Sequence, residues 1–237
     1  MDIEANIRSY LDGNSTSLGR MADERYASFD YCFNYFQSFR DAENIPLLAS
    51  ADNMQISCLQ LGFYLASWGM YRGSADLLQK SARALLPVIE FIAHSEALRV
   101  EDGKTPWNVD LHCYTKANIL LLLLTAEKLR AVLPLGASDI LVTKTMLGVF
   151  GNVPAFDDNF KYGCKVARIC ATFGERSLNE IGRVYQANAA IIDRYRVPAL
   201  DFGTGQQTGR KYTRAKVMDM AFFMEGSKRE KVAKASM

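Results

Sequence analysis

The amino-acid sequence predicts an all-α protein, and three features of the 237-residue chain support this. Apolar residues recur at steps of three and four along most of the chain, the spacing that buries one face of a helix. Alternating apolar and polar residues, the pattern of a half-buried strand, are nearly absent. The composition is globular, with 49% hydrophobic and 23% charged residues. We expect a single globular domain of roughly nine or ten packed helices; two lobes, 1–100 and 101–226, are the alternative.

The charge of the chain is nearly balanced overall but unevenly distributed. The net charge of +2 gives no global field that would attract nucleic acid or an acidic partner. Residues 201–237, however, carry eight Lys or Arg and four Asp or Glu, a net of +4. The last eleven residues, 227–237, are polar and basic, and we expect them to form a frayed tail.

Cysteine and histidine usage gives no sign of a metal site or a cofactor. The five cysteines are scattered without a C-x-x-C pair, which favours a reducing compartment. The only histidines are His94 and His112, and they form no H-E-x-x-H motif, so we expect neither a metal nor a cofactor. The longest aliphatic run, 119–124, is far shorter than the roughly 20 residues of a membrane span. With no signal peptide at the start, these features predict a cytoplasmic protein without membrane contact.

The first half of the chain predicts two strongly apolar helices. Residues 20–43 contain seven aromatic side chains within 26–39, which indicates a helix buried on two sides. An aromatic face for stacking on nucleobases is the alternative. Residues 53–72 carry two apolar stripes at helical spacing, which predicts a central core helix.

The end of that second helix is a candidate pocket. Trp68 and Arg72 lie beside Gly69 and Gly73, and an aromatic ring next to a guanidinium group suits the wall of a binding pocket. Tight helix packing at the glycines, with Arg72 paired to a carboxylate, is the alternative. Residues 64–74 resemble a segment of uncharacterised bacterial proteins, and this resemblance implies a bacterial source but no activity.

The second half of the chain predicts a series of shorter helices. Ser138 begins a helix that stops at Gly148, and Pro154 begins another that runs to about Phe173. Residues 177–180 have the capping-box pattern of a helix start. Residues 201–209 contain three glycines and predict a flexible loop, and a final helix spans about 213–225.

The turn between the helices near Gly148 is the most informative segment for function. Glycines at 148 and 151 interrupt an apolar run, and two adjacent carboxylates, Asp157 and Asp158, follow in the first turn of the next helix. Backbone N–H groups left free at such a turn bind phosphate oxygens well. An ordinary helix connection, with the aspartates favouring the helix dipole, is the alternative.

This turn resembles the helix-hairpin-helix motif. Leu147, Gly148, Val149, Gly151 and Ala155 resemble the family's Leu-x-Gly-hydrophobic-Gly-x-x-x-Ala pattern, with Phe150 inserted between the glycines. The segment 153–157 also looks like the Val-Pro-x-Asp segment of helix-hairpin-helix DNA glycosylases, which are all-α enzymes. The resemblance covers about 20 residues and implies that Gly148 and Gly151 contact a DNA phosphate, while Asp157 serves in catalysis.

The predicted helix after the turn carries a basic stripe. Lys161, Lys165 and Arg168 follow one another at steps of four and three, opposite the apolar face. Cations in this position suit contacts with nucleic-acid phosphates. An ordinary solvated face is the alternative.

Two classes of function remain open. One is a nucleic-acid-associated protein that binds DNA or RNA through Gly148, Gly151, Lys161, Lys165 and Arg168. In an enzyme of this kind, Asp157 is the best general base or charge stabiliser, helped by Asp158. The other is a non-catalytic helical interaction or regulatory protein. The sequence leaves the oligomeric state open and does not decide whether the protein is an enzyme.

Overall fold

The computed structural model describes residues 1–13, 19–73, 75–134 and 136–235, and it confirms the all-α prediction. Nine α-helices and one two-stranded sheet form a single compact domain in this part of the chain. The helices are α1 (Ile3–Asp12), α2 (Ala27–Asp41), α3 (Met54–Ser67), α4 (Leu86–Ala93), α5 (Lys116–Val132), α6 (Asp139–Phe150), α7 (Asp158–Val166), α8 (Glu175–Arg194) and α9 (Arg214–Ala235). The strands are β1 (Pro198–Leu200) and β2 (Gln207–Lys211).

Two helices form the centre of the molecule. Helix α6 is buried from residue 141 to residue 150 and packs against α2, α3 and α5. Helix α9 is buried from residue 215 to residue 224 and packs against α1, α7 and α8. Both segments are apolar on nearly every face, as expected for helices surrounded by other elements. The contact between α1 and α9 crosses the proposed lobe boundary, as does that between α2 and α6.

Helices α7 and α9 approach each other backbone to backbone. A Cβ atom on Gly163 of α7 would lie 2.6 Å from the carbonyl oxygen of Phe222, and one on Gly226 of α9 would overlap the backbone of Asn159. Only glycine leaves room for main chains this close. The two glycines therefore set the distance between α7 and the C-terminal half of α9.

Several element boundaries differ from the sequence prediction. Helix α6 continues to Phe150 because Gly148 packs inside the helix against the Tyr64 ring, and Gly151, at φ 66°, is the C-cap. Helix α7 begins at Asp158 rather than at Pro154 and ends at Val166 rather than near residue 173.

The last two helices also differ from the prediction. Helix α8 begins at Glu175, so Ser177 lies in its first turn, where its hydroxyl group bonds back to Gly174. Helix α9 extends to Ala235, so the expected frayed tail is helical as far as that residue.

The predicted flexible loop near 201–209 ends in a strand. Strand β2 pairs antiparallel with β1, with Leu200 opposite Gln207 and Pro198 opposite Lys211. Helix α2 holds β1 through its side chains: Asp30 accepts the Leu200 N–H at 3.1 Å, and Asn34 donates to the Leu200 carbonyl at 2.8 Å. The hairpin therefore depends on contacts with a helix more than 150 residues earlier, which local patterns do not reveal.

Long apolar helices of the kind that span a bilayer do not occur in the described residues. One exposed apolar strip does occur on α3, so this helix lies at the surface on one side and is not the central core helix predicted for 53–72. Phe63 is 69% exposed, Leu59 50% and Ile56 48%, and these residues follow one another at helical spacing.

The contact at Gly148 provides the first prediction. Gly148→Ala should lower the free energy of unfolding by about 1–3 kcal/mol, because the new Cβ overlaps the buried Tyr64 ring. This steric cost should exceed the helix-propensity gain of about 1 kcal/mol from replacing glycine. Urea denaturation measures the change. The matched control is Gly174→Ala, where nothing lies within 4 Å of the new atom; equal stability of the two variants would contradict the packing described.

Candidate functional site

The turn predicted to bind phosphate is buried, and this corrects the roles expected for Gly148 and Gly151. Residues 151–156 are all buried. The Gly151 N–H donates to the Leu147 carbonyl, the Ala155 N–H to Asp219 Oδ1 at 3.0 Å and the Phe156 N–H to Thr143 Oγ1 at 2.9 Å. These amides are used inside the protein, so the turn does not present them to a ligand.

Asp157 and Trp68, which the sequence assigned to two separate candidate sites, are both bound by Lys144. Asp157 is the N-cap of α7, where its Oδ1 accepts the Phe160 N–H at 3.0 Å. Its Oδ2 lies 3.2 Å from Nζ of Lys144 on α6, and the same Nζ donates to the Trp68 carbonyl at 3.0 Å. Trp68 follows the last residue of α3, and the chain turns there through Gly69, at φ 81°. Lys144 therefore joins the ends of α3 and α7.

A second ion pair lies beside the first. Lys216 Nζ is 3.1 Å from Asp219 Oδ2 on α9, and it also donates to the Tyr10 hydroxyl group at 3.1 Å. The side chain of Lys216 is 1% exposed and that of Asp219 is 8% exposed. Asp219 holds the turn before Asp157 through the Ala155 N–H. We call these four residues, Lys144, Asp157, Lys216 and Asp219, the charge cluster.

Aromatic rings surround the charge cluster. Lys216 Nζ lies 4.6 Å from the centre of the Phe29 ring and 4.8 Å from that of Tyr10, within range of cation–π attraction. Trp68 lies 5.4 Å from both Lys144 Nζ and Lys216 Nζ. The Tyr26 ring is stacked between Tyr10 and Trp68, at centroid distances of 4.2 and 5.7 Å. This site is formed by residues within α1, α2, α6 and α9. The residue that follows α3 and the residue that precedes α7 complete it.

Burial raises the pKa of Asp219, one member of the charge cluster. Desolvation raises the pKa of Asp219; nearby Lys216 partly offsets this, and the neighbouring Asp157 charge adds to it. Burial also raises the pKa of Tyr10 and of Tyr64 well above the usual value. Asp219, whose pKa is raised, therefore lies beside the Lys144–Asp157 ion pair.

The other predicted site residues lie elsewhere. Asp158 points away from the cluster into a surface groove with Lys161 and Lys165, so Asp219 is the second carboxylate near Asp157. Arg72 is exposed and folds over Gly69, without an ion-pair partner among the described residues. Sequence reasoning missed Lys216 and Asp219 as partners. The signal that could have identified them is a charged pair three residues apart in an otherwise apolar segment.

The predicted basic stripe is partly present. Lys161 is half-buried and Lys165 is exposed, and both line a groove of about 400 Å³ together with Arg229 of α9. Arg168 lies beyond the end of α7 with a φ of 59°, so it does not continue the helical stripe. We call Lys161, Lys165 and Arg229 the cationic ridge.

Comparisons of the chain with protein-family models, curated proteins and solved structures find no match. The functional argument therefore depends on the geometry of the charge cluster and the cationic ridge.

The charge cluster provides the second prediction. Lys216→Met should lower the free energy of unfolding by roughly 3 kcal/mol near neutral pH, because it leaves the Asp219 carboxylate buried without its partner. Removing the lysine should raise the folded-state pKa of Asp219 further above the ordinary value of 3.8. A raised folded-state pKa stabilises the protein at low pH, and this contribution is lost as pH rises through the folded pKa. The loss should therefore be larger at about pH 8 than at about pH 5.

Urea denaturation of the wild type and the variant at both pH values tests this. Lys165→Met, at an exposed position, is the control and should change stability little at either pH. An equal loss for Lys216→Met at both pH values would show that Asp219 does not take up the proton.

Proposed function

We propose that this protein associates with nucleic acid and that the cationic ridge contacts its phosphates. The observation that carries the proposal is the grouping of Lys161, Lys165 and Arg229 around one groove, without an ion-pair partner for any of them among the described residues. Of the two carboxylates in the groove, Asp139 is already paired with Arg130. Unpaired cations on one face are the usual means of binding a phosphate backbone.

The arrangement of α7 supports an extended ligand. Asp157, Lys161 and Lys165 are spaced by four residues, so they follow one side of the helix. The ridge thus leads towards the charge cluster at its N-terminal end.

The proposal includes a catalytic role for Asp157, in a DNA-repair-like reaction. Its Oδ2 lies 3.2 Å from Lys144 Nζ, so this lysine orients the carboxylate for a role as general base or charge stabiliser. Its side chain is 16% exposed, whereas that of Lys144 is 5% exposed, so Asp157 is the more accessible member of the pair. The indole N–H of Trp68 is buried and has no hydrogen-bond partner among the described residues, so a ligand at this site would meet the Asp157 carboxylate but not this donor.

Charge reversal tests the phosphate contacts. The triple variant Lys161→Glu, Lys165→Glu and Arg229→Glu should weaken binding of DNA and RNA oligonucleotides by at least about tenfold. It should also make the slope of the logarithm of the binding constant against the logarithm of salt concentration shallower by about one unit per residue. Each lost phosphate contact no longer releases a counterion. The melting temperature should change little, since none of the three cations forms an ion pair with a described residue. Fluorescence anisotropy at several salt concentrations measures both effects.

The control carries the same charge change elsewhere: Lys80→Glu, Lys116→Glu and Lys128→Glu, all at exposed positions. Equal loss in both triple variants would indicate only a general charge effect. Wild-type binding by the ridge variant would overturn the proposal and favour the alternative, a non-catalytic helical interaction protein. For that function, the exposed strip of Ile56, Leu59 and Phe63 offers a surface.

The catalytic role is tested separately. Asp157→Asn preserves a side chain suited to an N-cap but removes the carboxylate paired with Lys144. We expect it to bind oligonucleotides like the wild type and to lose base release from a panel of damaged-base substrates. Asp158→Asn, adjacent in sequence but outside the charge cluster, should retain that activity. A wild-type protein that releases no base from any substrate, or an active Asp157→Asn variant, would contradict the role.

A further inference from the structure

A second cationic groove lies between α2 and the β-hairpin, on a part of the surface that does not include the cationic ridge. It encloses about 560 Å³. Its walls come from the C-terminal half of α2, from β2 and from the segments before β1 and after β2. The charged residues that line it are Arg40, Asp41, Arg196, Arg210 and Lys211.

The charge of this groove is strongly positive. Four cations face one carboxylate, a net of +3 in one groove of a chain whose total is +2. Arg210 and Lys211 are adjacent in the sequence. The fold adds Arg40 and Arg196, which are 170 and 14 residues before Arg210 in the sequence. Like charges brought together at this density repel one another unless an anion lies between them.

Two of the arginines are held in place by neutral acceptors and by the Asp41 carboxylate, which lies 2.8 Å from Arg210 and 3.5 Å from Arg40. Arg210 donates one terminal nitrogen to the Asn34 carbonyl and side-chain oxygens, at 3.1 and 2.8 Å, and the other to Asp41 at 2.8 Å. Arg40 donates to the Gln37 side chain at 2.8 Å and to the Trp107 carbonyl at 3.0 Å. These bonds fix both guanidinium groups, and the one carboxylate that they share neutralises only part of their combined charge, so both cations are pre-organised.

The other two cations have donors left over. Arg196 uses its Nε to donate to the Tyr212 carbonyl at 2.8 Å, and its terminal nitrogens have no partner among the described residues. Lys211 is exposed and likewise lacks an ion-pair partner within the described chain. The floor is the buried Phe33 ring, and nothing lies within 4 Å of the position of a Cβ on Gly209. The groove therefore has charged donors, an apolar floor and open space above one wall.

We propose that this groove binds a phosphate monoester. A dianion neutralises most of the +3 charge, whereas a carboxylate would leave most of it in place. The planar guanidinium groups match the oxygen spacing of phosphate, which favours Arg over Lys at such sites. The apolar floor suits the organic part of the ligand. The monoester is carried either by a free nucleotide or by the 5′ end of a nucleic-acid strand.

The experiment titrates the wild-type protein with inorganic phosphate and with adenosine monophosphate, using isothermal calorimetry. The variant is Arg196→Gln with Lys211→Gln, which removes the two cations that have unused donors. Both probes should bind it at least about tenfold more weakly, because the phosphate loses its charged hydrogen bonds to both side chains. Lys80→Gln with Lys128→Gln removes the same charge from exposed positions outside the groove and should leave binding unchanged.

Two further comparisons identify the source of the phosphate and separate this proposal from the proposed function. A 5′-phosphorylated oligonucleotide should bind better than its 5′-hydroxyl counterpart if the strand end is the ligand; equal binding, with retained nucleotide binding, assigns the groove to a free nucleotide. The ridge variant Lys161→Glu, Lys165→Glu and Arg229→Glu should bind inorganic phosphate like the wild type. Absence of phosphate and nucleotide binding at millimolar concentration, or undiminished binding by the groove variant, would overturn the proposal.

Discussion

The close contact between α7 and α9 is the constraint on which the rest of this structure depends. Gly163 and Gly226 let the two main chains touch, so α7 lies directly against the central helix. This contact brings the Asp157 end of α7 near Asp219 and places Lys161 and Lys165 beside Arg229. Larger side chains at either glycine would separate the helices and take both the charge cluster and the cationic ridge apart.

The charge cluster buries four charged side chains, and it is stable because each charge has a partner. Burying a lysine or an aspartate is unfavourable unless the opposite charge and hydrogen-bond partners come with it. Here each lysine has an aspartate, and Asp219 also accepts the Ala155 N–H. Aromatic rings add cation–π contacts to both lysines. Apolar side chains of similar volume often give a protein equal or higher folding stability than buried ion pairs do, so stability alone does not account for this cluster.

The two cationic surfaces differ in how they are built. The ridge consists of side chains that project from two closely packed helices, and none of its cations has an ion-pair partner among the described residues. In the groove between α2 and the hairpin, neutral oxygens and the Asp41 carboxylate hold Arg40 and Arg210 in position. An adaptable surface suits a long polyanion, whereas pre-organised guanidinium groups suit a small one.

The sequence by itself determined the helical class of this protein and the start of α6 at Ser138, because helical periodicity and helix-capping residues are local signals. It predicted a central core helix at 53–72, whereas the most buried helices are α6 and α9. It placed Gly148 at a turn because a glycine in an apolar run usually ends a helix, whereas the Tyr64 ring packs against it within α6. Only the tertiary structure decided that the turn is buried and that Lys144 meets Asp157. The same holds for the grouping of Arg40 and Arg196 with Arg210. Those pairings join residues far apart in the chain, and their stability depends on burial and charge neutralisation, which no local pattern encodes.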